Sequence, residues 1–222
     1  MVDGDRGLIL IKADDPVVRQ RFTEGHELME LLFEAQEQAH QHPDPHQAPA
    51  SWQVQGDRKE QLCDRLAAEL LMPRHSFRAR LRYLGSSMAT AKTLASDYQT
   101  SLLATLLRMM QVGEGAHGLV VWRWAWATAA AQAQGREPPQ LRIWWQATTV
   151  AWSAGLPRPN AALETVSVEA RSVVQMAEQV DQFLTGTEFW QLGAKPLHCH
   201  VEALPLKIGK RRCVVSLCHN LG

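Results

Sequence analysis

Two helical words near the start constrain this chain most: RFTEGHELMELLF (residues 21–33) and KEQLCDRLAAELLMP (59–73). In the first, Leu28, Leu31, Leu32 and Ala35 recur at helical spacing. This predicts a helix entered at Asp15-Pro16, running to about Ala39 and burying that stripe. The same helix carries His26-Glu27-x-x-Glu30. Residues four apart share a helix face, with Cβ atoms roughly 5–6 Å apart. His26 and Glu30 can therefore converge on one ion while Glu27 projects beside them. This is the HExxH metal-binding arrangement with glutamate in place of the second histidine. The second word predicts a helix from about Asp57 to Met72 that stops at Pro73, and in it Glu60 and Asp64 are again four apart. One carboxylate there can close the shell around an ion, and its neighbour can accept the free ring N–H of His26. The same residue types also describe a solvated helix face, so the motif alone leaves both readings open.

The wording around the motif is more specific. RFTEGHELMELLF followed by E-x-x-C-D-x-x-A-A-E-L-L-M-P resembles the ImmA/IrrE-type metallopeptidases over residues 17–73. The resemblance implies a zincin-like module in which His26 and Glu60 are metal ligands, Glu27 is the general base and Asp64 stands behind His26. Zn²⁺ is the implied ion. Glu69 then reads as helix surface, Cys63 as a small core residue, and Leu66, Ala67, Leu70 and Leu71 as packing between the helices. Glu30 is the departure from the family pattern. A His/His/Glu shell leaves Zn²⁺ with one net positive charge, whereas His26, Glu30 and Glu60 leave none. Such a centre polarises water less, so the pKa of that water stays above the roughly 7 of good zinc hydrolases. It also favours harder ions such as Mn²⁺. The alternative is a vestigial site in which Glu30 makes a salt bridge.

Composition sets the remaining bounds. Of 222 residues, 45% are hydrophobic, enough to bury a core and to exclude a disordered tail. Four cysteines are too few for a disulfide scaffold. The N-terminus lacks a signal-peptide pattern and no apolar run reaches the roughly 18 residues of a membrane span. The expectation is a cytoplasmic protein with no membrane partner. The net charge of zero hides a division: −7 over residues 1–73, +5 over 74–108 and +2 over 109–222. Three modules are expected, at 1–73 (zincin-like), 74–112 (helical, helix–turn–helix-like) and 113–222 (α/β, sensor-like), giving an α+β chain.

In the basic block, Arg78, Arg80 and Arg82 are the candidates for DNA contact. TLASDYQTSLLATLLRM (93–109) has helix–turn–helix rhythm, and Leu94, Ala95, Tyr98, Ser101, Ala104 and Arg108 are similar to the segment that follows LLMP in the family. Its second helix offers only Thr105 and Arg108 as polar reach. That favours a packing bundle over a groove reader.

Further along, Leu8–Lys12 is expected as a strand, VVWRWAWA (120–127) as a strand with Trp122, Trp124 and Trp126 on one face, and LRIWW (141–145) as its partner. Residues 166–183 read as one amphipathic helix and the segment around Lys207–Lys210 as a hairpin turn. This order of elements is similar to the GAF-like C-terminal part of some IrrE-type proteins. His198 and His200 share a strand face, with Cys213 or Cys218 as possible neighbours. His40, His42 and His46 belong to a Pro-rich stretch, a surface loop or a supplement to the metal shell. By resemblance, the function is a metal-dependent peptidase-like regulator that cleaves a helix–turn–helix repressor in a stress or mobile-element response. The alternative is a catalytically inactive regulator that binds a partner or DNA.

Overall fold

A computed structural model describes residues 2–3, 6–40, 56–135, 138–152, 160–169, 171–191 and 196–221. His42 and His46 lie outside the described residues, as does the side chain of His40. The chain divides into two compact units, Met1–Arg80 with Thr93–Thr105, and Leu81–Lys92 with Leu106–Gly222.

In the first unit, β1 (Val2–Asp3) pairs antiparallel with β2 (Arg6–Gly7). The expected strand at Leu8–Lys12 does not form. That run pairs with no strand among the described residues, and Leu8 and Leu10 are exposed. Helix α1 (Val17–His40) starts directly after Pro16, whose carbonyl accepts the amides of Arg19 and Gln20 at 2.8 and 3.0 Å. Helix α2 (Asp57–Leu71) ends at Met72-Pro73, where proline cannot continue the hydrogen-bond ladder. The two helices approach closely at Gly25, where an added Cβ would lie 3.4 Å from the Ala67 Cβ. The expected apolar stripe of α1 is not buried as one surface. Leu31 packs against Gly7, while Leu28 and Leu32 are 40% and 56% exposed. Helix α1 instead meets α2 at Gly25 and the β1–β2 pair at Leu31.

Helices α3 (Arg74–Leu84), α4 (Met88–Asp97) and α5 (Leu102–Val112) follow, and the unit boundaries fall inside them. Helices α3 and α4 are separated at Gly85, which takes φ +78°. The turn from α4 to α5 is tied to α1, since the Arg21 guanidinium donates to the carbonyls of Tyr98 and Gln99, each at 3.1 Å.

The second unit is built on a five-stranded sheet. Its strands are β3 (His117–Ala125), β4 (Gln140–Thr148), β5 (Leu184–Gln191), β6 (Pro196–Ile208) and β7 (Arg211–Asn220), in the order β4-β3-β7-β6-β5. Every pairing is antiparallel, so the unit is α+β and not the expected α/β. The β6–β7 hairpin turns at Gly209, φ +61°, as expected. Helix α6 (Ala129–Gln134) lies between β3 and β4. Of the helix expected over 166–183 only α8 (Val173–Val180) forms, and a short α7 (Leu163–Val166) ends where that helix was to begin. The chain between them is drawn to the sheet, where the Val168 amide donates to the Phe189 carbonyl at 3.0 Å. Ser172 then caps the new helix through the Val174 amide, and Asp181 ends it in the left-handed conformation.

Trp122, Trp190, Val174, Ala177, Val201 and Cys218 form the core of this unit. Trp122 and Trp190 meet edge to face at 5.7 Å, and the buried Trp122 indole N–H donates to Ser216 Oγ at 2.8 Å. The three-tryptophan face does not form as expected: Trp124 is largely exposed, and Trp126 lies past the end of β3. No helix among the described residues is long and apolar enough to cross a membrane.

Candidate metal centre

Helices α1 and α2 bring His26, Glu30, Glu60 and Asp64 together. One donor atom from each of His26, Glu30 and Glu60 lies within 4.8 Å of the others. The spacing of four along α2 places its two carboxylates on the two ring nitrogens of His26. Asp64 Oδ1 is 2.9 Å from Nδ1, and Glu60 Oε2 is 3.4 Å from Nε2. An ionised carboxylate only accepts, so the short contact assigns the proton of the neutral ring to Nδ1 and leaves the Nε2 lone pair facing Glu60. A carboxylate that fixes the far nitrogen is the usual support of a metal-binding imidazole. His26 is mostly buried at 17% side-chain exposure, whereas Glu60 and Asp64 are 62% and 58% exposed. The centre therefore opens to solvent on its α2 side.

Glu30 has a cationic neighbour. Its Oε1 is 3.2 Å from Lys59 Nζ, which also lies 3.9 Å from Glu34. The Lys59 side chain is largely buried at 18% exposure. Sequence reasoning passed over Lys59, and its only signal was its place directly before Glu60 on α2. One imidazole nitrogen and two carboxylate oxygens suit Zn²⁺ or Mn²⁺, so the donor set fits a divalent ion, with Lys59 competing for Glu30.

Glu27 is half-buried and makes no hydrogen bond or ion pair among the described residues. Glu69 is exposed and accepts the Arg74 amide at the start of α3 at 2.6 Å. Cys63 is buried, and burial together with the nearby Glu30 pushes its thiol pKa up. It is therefore a packed thiol.

Arg80 pairs with Asp97 at 2.6 Å, Arg82 with Glu114 through its Nε at 2.9 Å, and Arg78 is half-buried. Thr105 and Arg108, the polar reach expected on the second helix of the 93–109 segment, are both buried. In the sheet, His198 stacks on Phe189 at 4.7 Å. The cysteines do not join His198 and His200. Cys218 pairs with Val201, which alternation puts on the opposite face, and Cys213 pairs with the distant Leu206.

The IrrE N-terminal-like domain of the Peptidase M78 family matches residues 2–110, the stretch that contains this whole centre. A solved structure of a Mycobacterium tuberculosis transcriptional regulator resembles 94% of this chain with a TM-score of 0.56 and 12% identity, a likeness of fold alone. This chain spans 58% of that protein. Comparison with curated proteins finds no match. Residues 2–110, just under half of the chain, thus carry the IrrE N-terminal-like domain of the ImmA/IrrE-type family.

Proposed function

We propose that this chain is a metal-dependent, peptidase-like regulator that acts in the cytoplasm and cuts a helix–turn–helix repressor in a stress or mobile-element response. His26, Glu60 and Glu30 would hold the ion, Zn²⁺ or Mn²⁺. A bound ion supplies Lewis acidity toward water and the scissile carbonyl. The observation that carries the reading is the grip on His26, with Asp64 on one nitrogen and Glu60 beside the other. Asp64 orients the ring. Glu27, adjacent on α1 and without a partner among the described residues, takes a proton from water. The −7 balance of residues 1–73 favours a basic DNA-binding protein as substrate over DNA itself. The antiparallel sheet with its flanking helices supports a GAF-like sensor role for the second unit.

A second reading, an inactive regulator that binds a partner or DNA through the same fold, is favoured by one observation. Lys59 already neutralises Glu30.

Metal content of the purified protein separates the two. Zinc or manganese uptake falls by one equivalent in His26→Ala and keeps its wild-type level in Glu27→Gln, which loses only cleavage. Equal metal content in wild type and His26→Ala refutes the centre. Lys59→Met raises zinc affinity about tenfold by freeing Glu30. An unchanged affinity removes Glu30 from the donor set and supports the inactive reading.

A further inference from the structure

The second unit carries another histidine cluster, assembled by strand register. His117 on β3 is directly opposite His219 on β7, and His219 is directly opposite His200 on β6. Directly paired residues project to the same sheet face with Cβ atoms roughly 4.5–5.5 Å apart. Three histidines distant in sequence thus form a row across three strands.

Two of them already converge. Their Nδ1 atoms are 3.0 Å apart, with the rings edge to face at 4.8 Å. Two imidazole nitrogens bound to one tetrahedral ion at ordinary zinc distances lie about 3.3 Å apart. The far nitrogen of His219 is 3.2 Å from Glu202 Oε1, and the other oxygen of Glu202 accepts the Met88 amide at 2.8 Å. Glu202 is only 7% exposed, so this carboxylate is held in place behind the ring. That is the support that metal-binding histidines have. On the other side, the His117 ring edge carrying Nε2 fills the space beside Gly115, where any Cβ would collide with it. His117 therefore presents Nδ1 to His219. The His200 ring lies 5.9 Å from that of His219, and its Nε2 bonds the Thr185 hydroxyl at 2.9 Å in an exposed contact that a side-chain rotation can exchange.

We propose that His117 and His219, backed by Glu202 and completed by His200, form a second site that binds a transition-metal ion preferring imidazole, such as Zn²⁺. The proposal is independent of the helical centre. Without an ion, the same pair is a hydrogen bond between two imidazoles, and metal binding is what separates a ligand site from a structural contact.

The test uses the full, untagged chain carrying His26→Ala, so that the helical centre lacks its imidazole. This protein is titrated with Zn²⁺ alone, and with Co²⁺ as a spectroscopic substitute. The expected result is one retained equivalent of zinc, a zinc-dependent rise in melting temperature and a visible Co²⁺ spectrum of nitrogen-rich coordination. His117→Gln and His219→Gln lose the equivalent, His200→Gln weakens it at least tenfold, and His198→Gln leaves it intact. Gly115→Ala keeps every donor but displaces the His117 ring, and it loses affinity as well. A folded His26→Ala protein that retains no zinc overturns the proposal whether or not the further variants fold. So does an equivalent that survives both His117→Gln and His219→Gln.

Discussion

Each unit holds a histidine gripped by a carboxylate, and the two are built in opposite ways. His26 sits on a helix and is bracketed by Asp64 and Glu60, which are more than half exposed. His219 sits on a strand and is gripped by Glu202, whose side chain is 10% exposed and also receives a backbone amide. Ion pairs in water contribute about 0–1 kcal/mol, because solvent competes for both partners. Removing one member of a buried pair costs about 3–5 kcal/mol, because the other is left without water or partner. The same residue types thus serve different ends. The exposed grip can exchange partners for a ligand at little cost to the fold, whereas the buried grip helps to hold its unit together.

Three measurements bear on this contrast, the largest expected effect first. Glu202→Ala leaves the Met88 amide and His219 without their acceptor and should lower the unfolding free energy by about 3 kcal/mol, while Asp64→Ala stays within about 1 kcal/mol. Denaturant melts of the two variants check this, and equal losses would dissolve the contrast. Asp64→Asn should next weaken zinc binding at the helical centre about 10–100-fold without moving the metal-free melting point, because it loosens the ring and not the fold. Competition titration against a chelator measures it, and an unchanged affinity would make Asp64 a bystander.

The smallest effect is the acid response of the metal-free protein. Burial, and then the neighbouring His219, push the His117 imidazole down to about 4 from its ordinary 6.5. The unfolded chain binds that proton first, so the contribution is fully present above pH 6.5 and fades as pH falls toward 4. After allowance for its partial exposure, the loss should be about 1 kcal/mol, and His117→Gln should flatten that part of the profile. Glu202 adds a loss at lower pH. Burial raises its carboxyl pKa, but the hydrogen bonds from His219 and the Met88 amide outweigh this and hold it below the usual carboxylate range. A stability profile flat from pH 7 to 4 would mean that the sheet cluster is not a buried network.

Expectations held where neighbours in sequence decide the outcome and gave way where partners are remote. The extents of α1 and α2 and the hairpin at Gly209 follow from periodicity, proline and glycine. Leu8–Lys12 has strand-like residues, but a strand also needs a partner edge and none among the described residues pairs with it. Residues 166–183 have helical periodicity, yet a sheet hydrogen bond to Val168 interrupts the helix. Trp122 and Trp124 alternate as expected, but only the former lies in the core.

The same division applies to the two histidine clusters. A helix repeats every few residues, so spacing alone put His26 and Glu30 on one stretch of α1 and Glu60 and Asp64 on one stretch of α2. That much the sequence determined, together with the family resemblance of its wording. Packing decided that Asp64 and Glu60 take opposite nitrogens of His26, and that Lys59 reaches Glu30. The row of His117, His219 and His200 was invisible in the sequence. Strand register is set by pairing between distant segments, and a shift of one residue would turn each side chain to the other face. Only the folded sheet, with Glu202 buried beneath it, could bring those three rings together.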